Sequence, residues 1–200
     1  MIGCSPAPSA DLIRKRIAGV TPHRRRKEGY RRAAVLIPLL PAERDWDVLL
    51  TRRDHALPHH RGQIAFPGGS IDEGEDCLHA ALREAEEEIG LQPSRVDILG
   101  CHDDIWTPSG FMISPVVGLI NDPGTLTPNP VEVARIFTVP LSFFADEENV
   151  VRQTLRHQGV DREVFFYSWE GETIWGATAL MLRNLLGLLG MIDHDAQRIA

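Results

Sequence analysis

Residues Ala33–Leu40 form an unbroken apolar run containing Val and Ile. Such a run, bounded by polar segments, predicts a strand buried on both faces. A turn carrying Pro41 and Asp45 separates it from a second predicted strand, Trp46–Thr51. Further short apolar stretches predict strands at Val96–Asp103, Met112–Ile120 and Val133–Val139. Ile64–Phe66 is a short extended piece broken by Pro67-Gly68-Gly69. Glu163–Trp169 and Thr173–Trp175 flank Glu170-Gly171 and predict a hairpin. Helical spacing marks Asp11–Ala18, Asp76–Ile89 and Ala177–Leu189, with one helical turn at Pro140–Ala145. In Asp76–Ile89 the first residue suits an N-cap, and Gly90 suits a left-handed C-terminal cap. Thr21–Arg32 is a polar, basic segment, and Asp54–Gln63, with three His, reads as a loop. Strands mixed with helices before, between and after them predict an α/β sandwich.

Composition narrows the class. The chain has 200 residues, 43% hydrophobic and 24% charged, which suits one domain with a full core rather than a disordered chain. The net charge of -7 is uneven. Residues 1–32 hold nine Lys or Arg against two acids, so a +7 segment precedes a body of -14. That segment reads as a basic N-terminal arm or helix, 33–190 as the domain, and 191–200 as a tail. The arm is either a solvated surface segment or a meeting point for an anionic ligand. A single aromatic residue, Tyr30, lies among its arginines, short of an interleaved pattern, so no nucleic-acid partner is expected.

Three cysteines, Cys4, Cys77 and Cys101, give neither a disulfide framework nor a zinc site, and fit a reducing cytoplasmic compartment. No signal peptide is expected from the opening residues. No apolar stretch approaches the roughly 20 residues of a membrane helix, so no membrane partner is expected either.

The chemistry concentrates on Asp76–Ile89. At about 100° per residue, Leu78, Ala81, Leu82, Ala85 and Ile89 share one stripe that must face the core. Glu84, Glu87 and Glu88 share another face at spacings of three and four, while Glu86 points elsewhere. Clustered like charges near a helix C-terminus are destabilising. A hard divalent cation, Mg²⁺ or Mn²⁺, would reward the placement, since it prefers carboxylate oxygens. Arg83 can pair with Glu87 one turn on. Alone, these acids read equally as a solvated helix face.

The flanking residues extend the pattern. Gly69, five residues, Glu75, seven residues, then Arg83-Glu84-Ala85-Glu86-Glu87-Glu88-Ile89-Gly90-Leu91 resembles the Nudix box without a gap. All its fixed polar and glycine positions agree, and Ala85 is small for the apolar position it fills. The resemblance implies an α/β/α sandwich with a mixed sheet, and hydrolysis of a nucleoside diphosphate linked to another moiety. It implies metal ligation by Glu84, Glu87 and Glu88, with Arg83 orienting them and Glu75 bracing the loop. Gly68, Gly69 and Gly74 would permit the tight backbone path. The base that takes the proton of the attacking water is either Glu84 or an acid from a later loop, for which Glu132 is the candidate. Glu132 reads equally as an ordinary loop acid.

Upstream, Leu49-Leu50-Thr51, Arg53, Gly62 and Phe66-Pro67-Gly68-Gly69 resemble the signature of coenzyme A pyrophosphatases. Asp54 and Pro58 depart from it, the second standing where that signature has arginine. Thr107–Phe111, Ser114–Gly118 and Ile174–Ala179 are also similar to this branch, so the resemblance spans about residues 33–190. It implies a coenzyme A-like substrate, with Arg53, Arg61, Gly68, Gly69 and Phe66 at its site. Arg53 and Arg61 would meet phosphate by bidentate bonds, or else form surface ion pairs. ADP-ribose is the alternative substrate, since Pro108 lies near a proline of that branch. A non-catalytic nucleotide-binding module is the alternative of another class. The oligomeric state is not legible.

Overall fold

The computed structural model describes residues 7–24, 28–43, 45–55, 61–157 and 159–193. Strand β1 (Arg31–Pro41) is the spine. It runs parallel to β7 (Phe111–Leu119) over its whole paired length, from Arg31 opposite Phe111 to Leu39 opposite Leu119. Its other edge is shared. The first half pairs antiparallel with β4 (Gly68–Ser70), through Ala33 to Val35. The last residues, Leu39 to Pro41, pair with β2 (Trp46–Arg53). Beyond β2 lie β3 (Ile64–Ala65) and β8 (Val133–Pro140), and beyond β7 lie β5 (Asp97–Cys101) and β6 (Ile105–Trp106). These eight strands form the main mixed sheet.

The period of two along the strands sorts side chains to two cores. Ala34 and Leu36 of β1, Leu49 of β2 and Val116 of β7 face α2 (Cys77–Ile89). Val35, Ile37, Leu39, Val48, Leu50, Val117 and Leu119 face the opposite way. There they meet α1 (Ala10–Ala18), α4 (Gly176–Leu189) and the second, three-stranded antiparallel sheet. That sheet orders β11 (Glu172–Trp175), β10 (Val160–Trp169) and β9 (Val150–His157). Layering of helix, sheet and helix is the expected sandwich.

Several bounds differ from the sequence reading. β9 was not expected: it is exposed along Val151–Arg156, held by pairing with β10 rather than by an apolar face. Helix α1 is anchored by Ile13 and Ile17, which are fully buried in the larger core. Bases of its segment pair with the body: Arg14 with Asp97, Arg24 with Asp104, and Arg16 with the Leu188 carbonyl at 3.0 Å. Arg25, Arg26 and Lys27 lie outside the described residues, as do Pro58, His59 and the tail beyond residue 193. Among the described residues no helix is long and apolar enough to cross a membrane.

Candidate active site

The chemistry-bearing helix begins and ends where its sequence dictates. Asp76 accepts hydrogen bonds from the Leu78 and His79 N–H groups, both at 2.9 Å, satisfying two donors that a helix start leaves free. Gly90 closes the helix at φ 69°, where its N–H donates to the Glu86 carbonyl at 2.9 Å. The buried side chains are Ala80, Ala81, Ala85, Glu88 and Ile89. The core stripe is therefore rotated from expectation. Ala80 joins it, and Leu78 and Leu82 are only half-buried.

Glu88 is the main correction. Helical phase grouped it with Glu84 and Glu87 on a face off the core stripe, but it is only 3% exposed. Its Oε2 accepts from the Gly68 N–H at 3.1 Å, and its Oε1 lies 3.5 Å from Arg53 Nη1. Arg53 reaches it because the register of β2 against β8 shifts between Arg52 and Arg53, and such a bulge re-aims side chains. Burial pushes the Glu88 carboxyl up to about 7. The Gly68 N–H and Arg53 oppose that rise, while Glu84 and Glu132 add to it.

Glu84 rests in a glycine cradle. A Cβ on Gly69 would stand 2.4–2.5 Å from the Glu84 carboxyl atoms, so only glycine leaves that space. Burial raises the Glu84 pKa; Arg83 opposes the rise, and Glu87 and Glu132 add to it. Gly68 is constrained by the spine itself: its Cβ would meet the Ala34 carbonyl oxygen at 2.4 Å and the Val35 Cα at 2.6 Å.

Arg83 ties this region together. Its Nε and Nη2 donate to the two carboxylate oxygens of Glu75, each at 3.1 Å. Its Nη1 donates to Glu84 at 2.9 Å and Glu87 at 3.2 Å, and Nη2 also reaches the Ser70 carbonyl at 3.0 Å. Glu75 in turn accepts the Asp72 N–H at 3.1 Å, which fastens the turn. These bonds hold the Glu75 carboxyl below its usual range. Glu87 and Glu86 are exposed.

Glu132 comes from outside the helix. The loop before β8 clasps the end of α2: the Thr127 N–H donates to Ile89 O at 2.9 Å, and the Asn129 N–H to Glu88 O at 2.8 Å. The Asp54 N–H then donates to Glu132 O at 2.8 Å, joining this loop to the segment after β2. The charge of Glu132 is felt by both Glu84 and Glu88.

Arg61 is exposed in the turn leading to β3. Phe66 is corrected: rather than facing a ligand, it is 2% exposed within the larger core. A nearby ion network was not anticipated. Glu172 Oε1 lies 3.0 Å from Arg52 and 3.3 Å from Arg135, and Arg135 lies 3.4 Å from Glu170. Only the pairing of β2 with β8 and the approach of the hairpin that joins β10 to β11 bring these charges together, so sequence spacing carried no signal of them.

The fit to a divalent cation rests on the donors. One buried, one half-buried and one exposed carboxylate, Glu88, Glu84 and Glu87, stand beside a glycine turn, and acids so grouped suit a hard cation taking oxygen ligands. Among the described residues no three or more acidic, His or Cys side chains converge closely enough, as they stand, to hold a metal ion. In this arrangement Arg83 bridges Glu84 and Glu87, neutralising them in a cation's stead.

The chain matches the NUDIX domain family over residues 29–163. It is similar to an uncharacterized Nudix hydrolase, NudL, of Photorhabdus laumondii, with 38% identity covering 82% of this chain and 88% of that protein. A NudL of Yersinia enterocolitica is 40% identical, covering 76% and 78%. Among solved structures, the Nudix hydrolase RenU from M. smegmatis superposes with a TM-score of 0.50 and 26% identity, covering 57% of this chain and 73% of that one.

Proposed function

Because the chain belongs to the Nudix hydrolase family, whose members act on phosphoric anhydride bonds, we propose that it cleaves the diphosphate of coenzyme A or its acyl derivatives. The products are adenosine 3',5'-bisphosphate and 4'-phosphopantetheine or its acyl form. The observation that carries the reading is the run from Leu49 to Gly69. It bears the coenzyme A-type signature and touches the acidic helix twice, through Arg53 and through the Gly68 N–H on Glu88.

Nudix hydrolases generally use divalent ions such as Mg²⁺ or Mn²⁺. Glu84, Glu87 and Glu88 are the residues proposed to hold one here. When bound, such an ion screens the diphosphate and lowers the pKa of an attacking water. Arg83 holds Glu84 beside Gly69 and pairs with Glu87 one turn on. Arg53, anchored on Glu88, presents its remaining donors to a substrate phosphate, with Arg61 on the turn beyond. The proton of the attacking water passes to Glu84 or to Glu132, the acid of a separate loop whose charge acts on both Glu84 and Glu88. The bridging P–O bond then breaks, and the leaving phosphate departs toward the arginines.

Product analysis by chromatography tests the reading, with coenzyme A, dephospho-coenzyme A, ADP-ribose, NADH and diadenosine polyphosphates offered with Mg²⁺ and with Mn²⁺. Coenzyme A is expected to show the highest kcat/KM. Faster ADP-ribose hydrolysis would overturn the substrate assignment while leaving the family intact. Equal kcat/KM for coenzyme A and its dephospho form would show that the 3'-phosphate is not read.

A further inference from the structure

Away from the acidic face, α2 starts beside a second reactive cluster. Cys77 is the first residue of the helix, and its Sγ lies 3.8 Å from Sγ of Cys101, the last residue of β5. Both side chains are half-buried and neither forms a disulfide. Arg24, from the basic segment preceding β1, donates through Nη2 toward Cys77 Sγ at 3.5 Å. The same guanidinium is fixed at its other end by Asp104 at 2.7 Å, and Asp104 also accepts from the Ser114 hydroxyl at 2.7 Å. The helix start and the arginine place positive charge on one thiol, and a second thiol touches it.

We propose that Cys77 and Cys101 form a peroxide-reactive dithiol, in which Cys77 attacks and Cys101 resolves. The Cys77 thiolate attacks the distal oxygen of a hydroperoxide. The O–O bond breaks, the alkoxide or hydroxide leaves and takes up a proton, and Cys77 becomes a sulfenic acid. The Cys101 sulfur then attacks Cys77, an S–S bond forms, and the hydroxyl departs as water with the Cys101 proton. Two thiols are oxidised and one peroxide is reduced.

The order of roles follows from position. A thiolate is favoured at a helix N-terminus beside a cation. The hydrogen bond shared with Cys101 pulls the Cys77 thiol below its usual range, aided by Arg24 and opposed by burial and by Asp76. Cys101 is pushed above its usual range by that shared bond and by burial, so it keeps its proton until resolution. Closing the pair requires the sulfurs to approach from 3.8 Å to about 2.05 Å. The inference is independent of the diphosphatase reading, because none of these groups contacts the acidic face.

The test uses the full chain with Cys4→Ser, which removes the third thiol. After dilute hydrogen peroxide, intact mass is expected to fall by two hydrogens, both thiols to resist alkylation, and dithiothreitol to restore them. In Cys101→Ser, a cyclic diketone should trap a sulfenic acid on Cys77, whereas Cys77→Ser should leave Cys101 unmodified at the same dose. Arg24→Gln should slow disulfide formation several-fold. Unchanged mass in the Cys4→Ser protein, or trapping on Cys101 first, would overturn the proposal. An Arg24→Gln rate equal to the parent's would remove the arginine from it.

Discussion

Behind the main sheet the core is built from large side chains, among them Phe144, Phe165, Tyr167, Leu182 and Leu186, all at most 1% exposed. In front of it, α2 meets the strands through Ala80, Ala81 and Ala85, with no exposed surface left on any of them. The difference is one of distance. Bulky layers hold a helix well off a sheet, whereas alanines let its backbone come close. Close approach is what lets Glu84 nest against Gly69 and Glu88 accept a backbone N–H from Gly68. Ala85, small for its place in the box, is fully buried in this close contact. One face supplies cohesion and the other spends it on holding charge.

Substitutions on the two faces should separate turnover from stability. The largest effect is expected for Glu88→Gln and Glu87→Gln, each lowering kcat at least about a hundred-fold, the scale for losing a preorganised charged group. Thermal melting of the metal-free proteins should show no loss of stability at pH 8. Near-normal kcat in either variant would detach the residue from the proposed site. Gly69→Ala should follow. Its backbone needs no positive φ, but the new methyl evicts the Glu84 carboxyl. Turnover should fall about 10- to 100-fold, the range for disturbing the support of a metal site, with melting little changed.

On the other face, Leu182→Ala should cost about 2–5 kcal/mol in denaturant unfolding, while the protein that remains folded keeps its kcat. A loss of kcat there comparable with Gly69→Ala would mean the faces are coupled.

The pH dependence sharpens the same contrast. A carboxyl whose folded pKa is raised stabilises the fold below its unfolded value and loses that contribution as pH rises through the folded value. For Glu88 the window runs from 4.5 to about 7. Metal-free protein should lose roughly 1–3 kcal/mol across it from this group, and Glu88→Gln should flatten that slope. A slope unchanged in the variant would assign it to other acids. The smallest effect is expected for Glu86→Gln, which is exposed: kcat measured beside wild type should be nearly the same.

Much of the arrangement could be read from the chain because it is local. The caps at Asp76 and Gly90, the unbroken run of β1 and the glycine turn depend on neighbours in sequence. What escaped depended on partners far away. Helical phase placed Glu88 beside Glu87, but its burial arises from Gly68 and Arg53, which no periodicity of α2 encodes. Phe66 lay in a signature and looked like a ligand contact, yet its ring belongs to the core. β9 has a mixed polar sequence because pairing, not burial, holds it. The Arg52, Arg135, Glu170 and Glu172 network draws on three strands and had no linear trace.

The shared edge of β1 has a last consequence. β2, which leads into the segment 54–63, and β4, which follows it, are both fastened to that one strand, and Leu36 N–H fills the interval by donating to the Pro67 carbonyl at 2.9 Å. Pro38 shares the strand parity of Leu36, so its missing N–H faces the stretch where neither β2 nor β4 pairs, and no ladder bond is lost. The flanks of the segment are joined to each other, the Arg53 N–H donating to the Gln63 carbonyl at 3.0 Å, so both of its ends stay in register with the sheet. In engineering terms these flanks are a fixed mount: exchanging the residues between them is expected to leave the melting temperature of the sheet and of the helix docked on it unchanged.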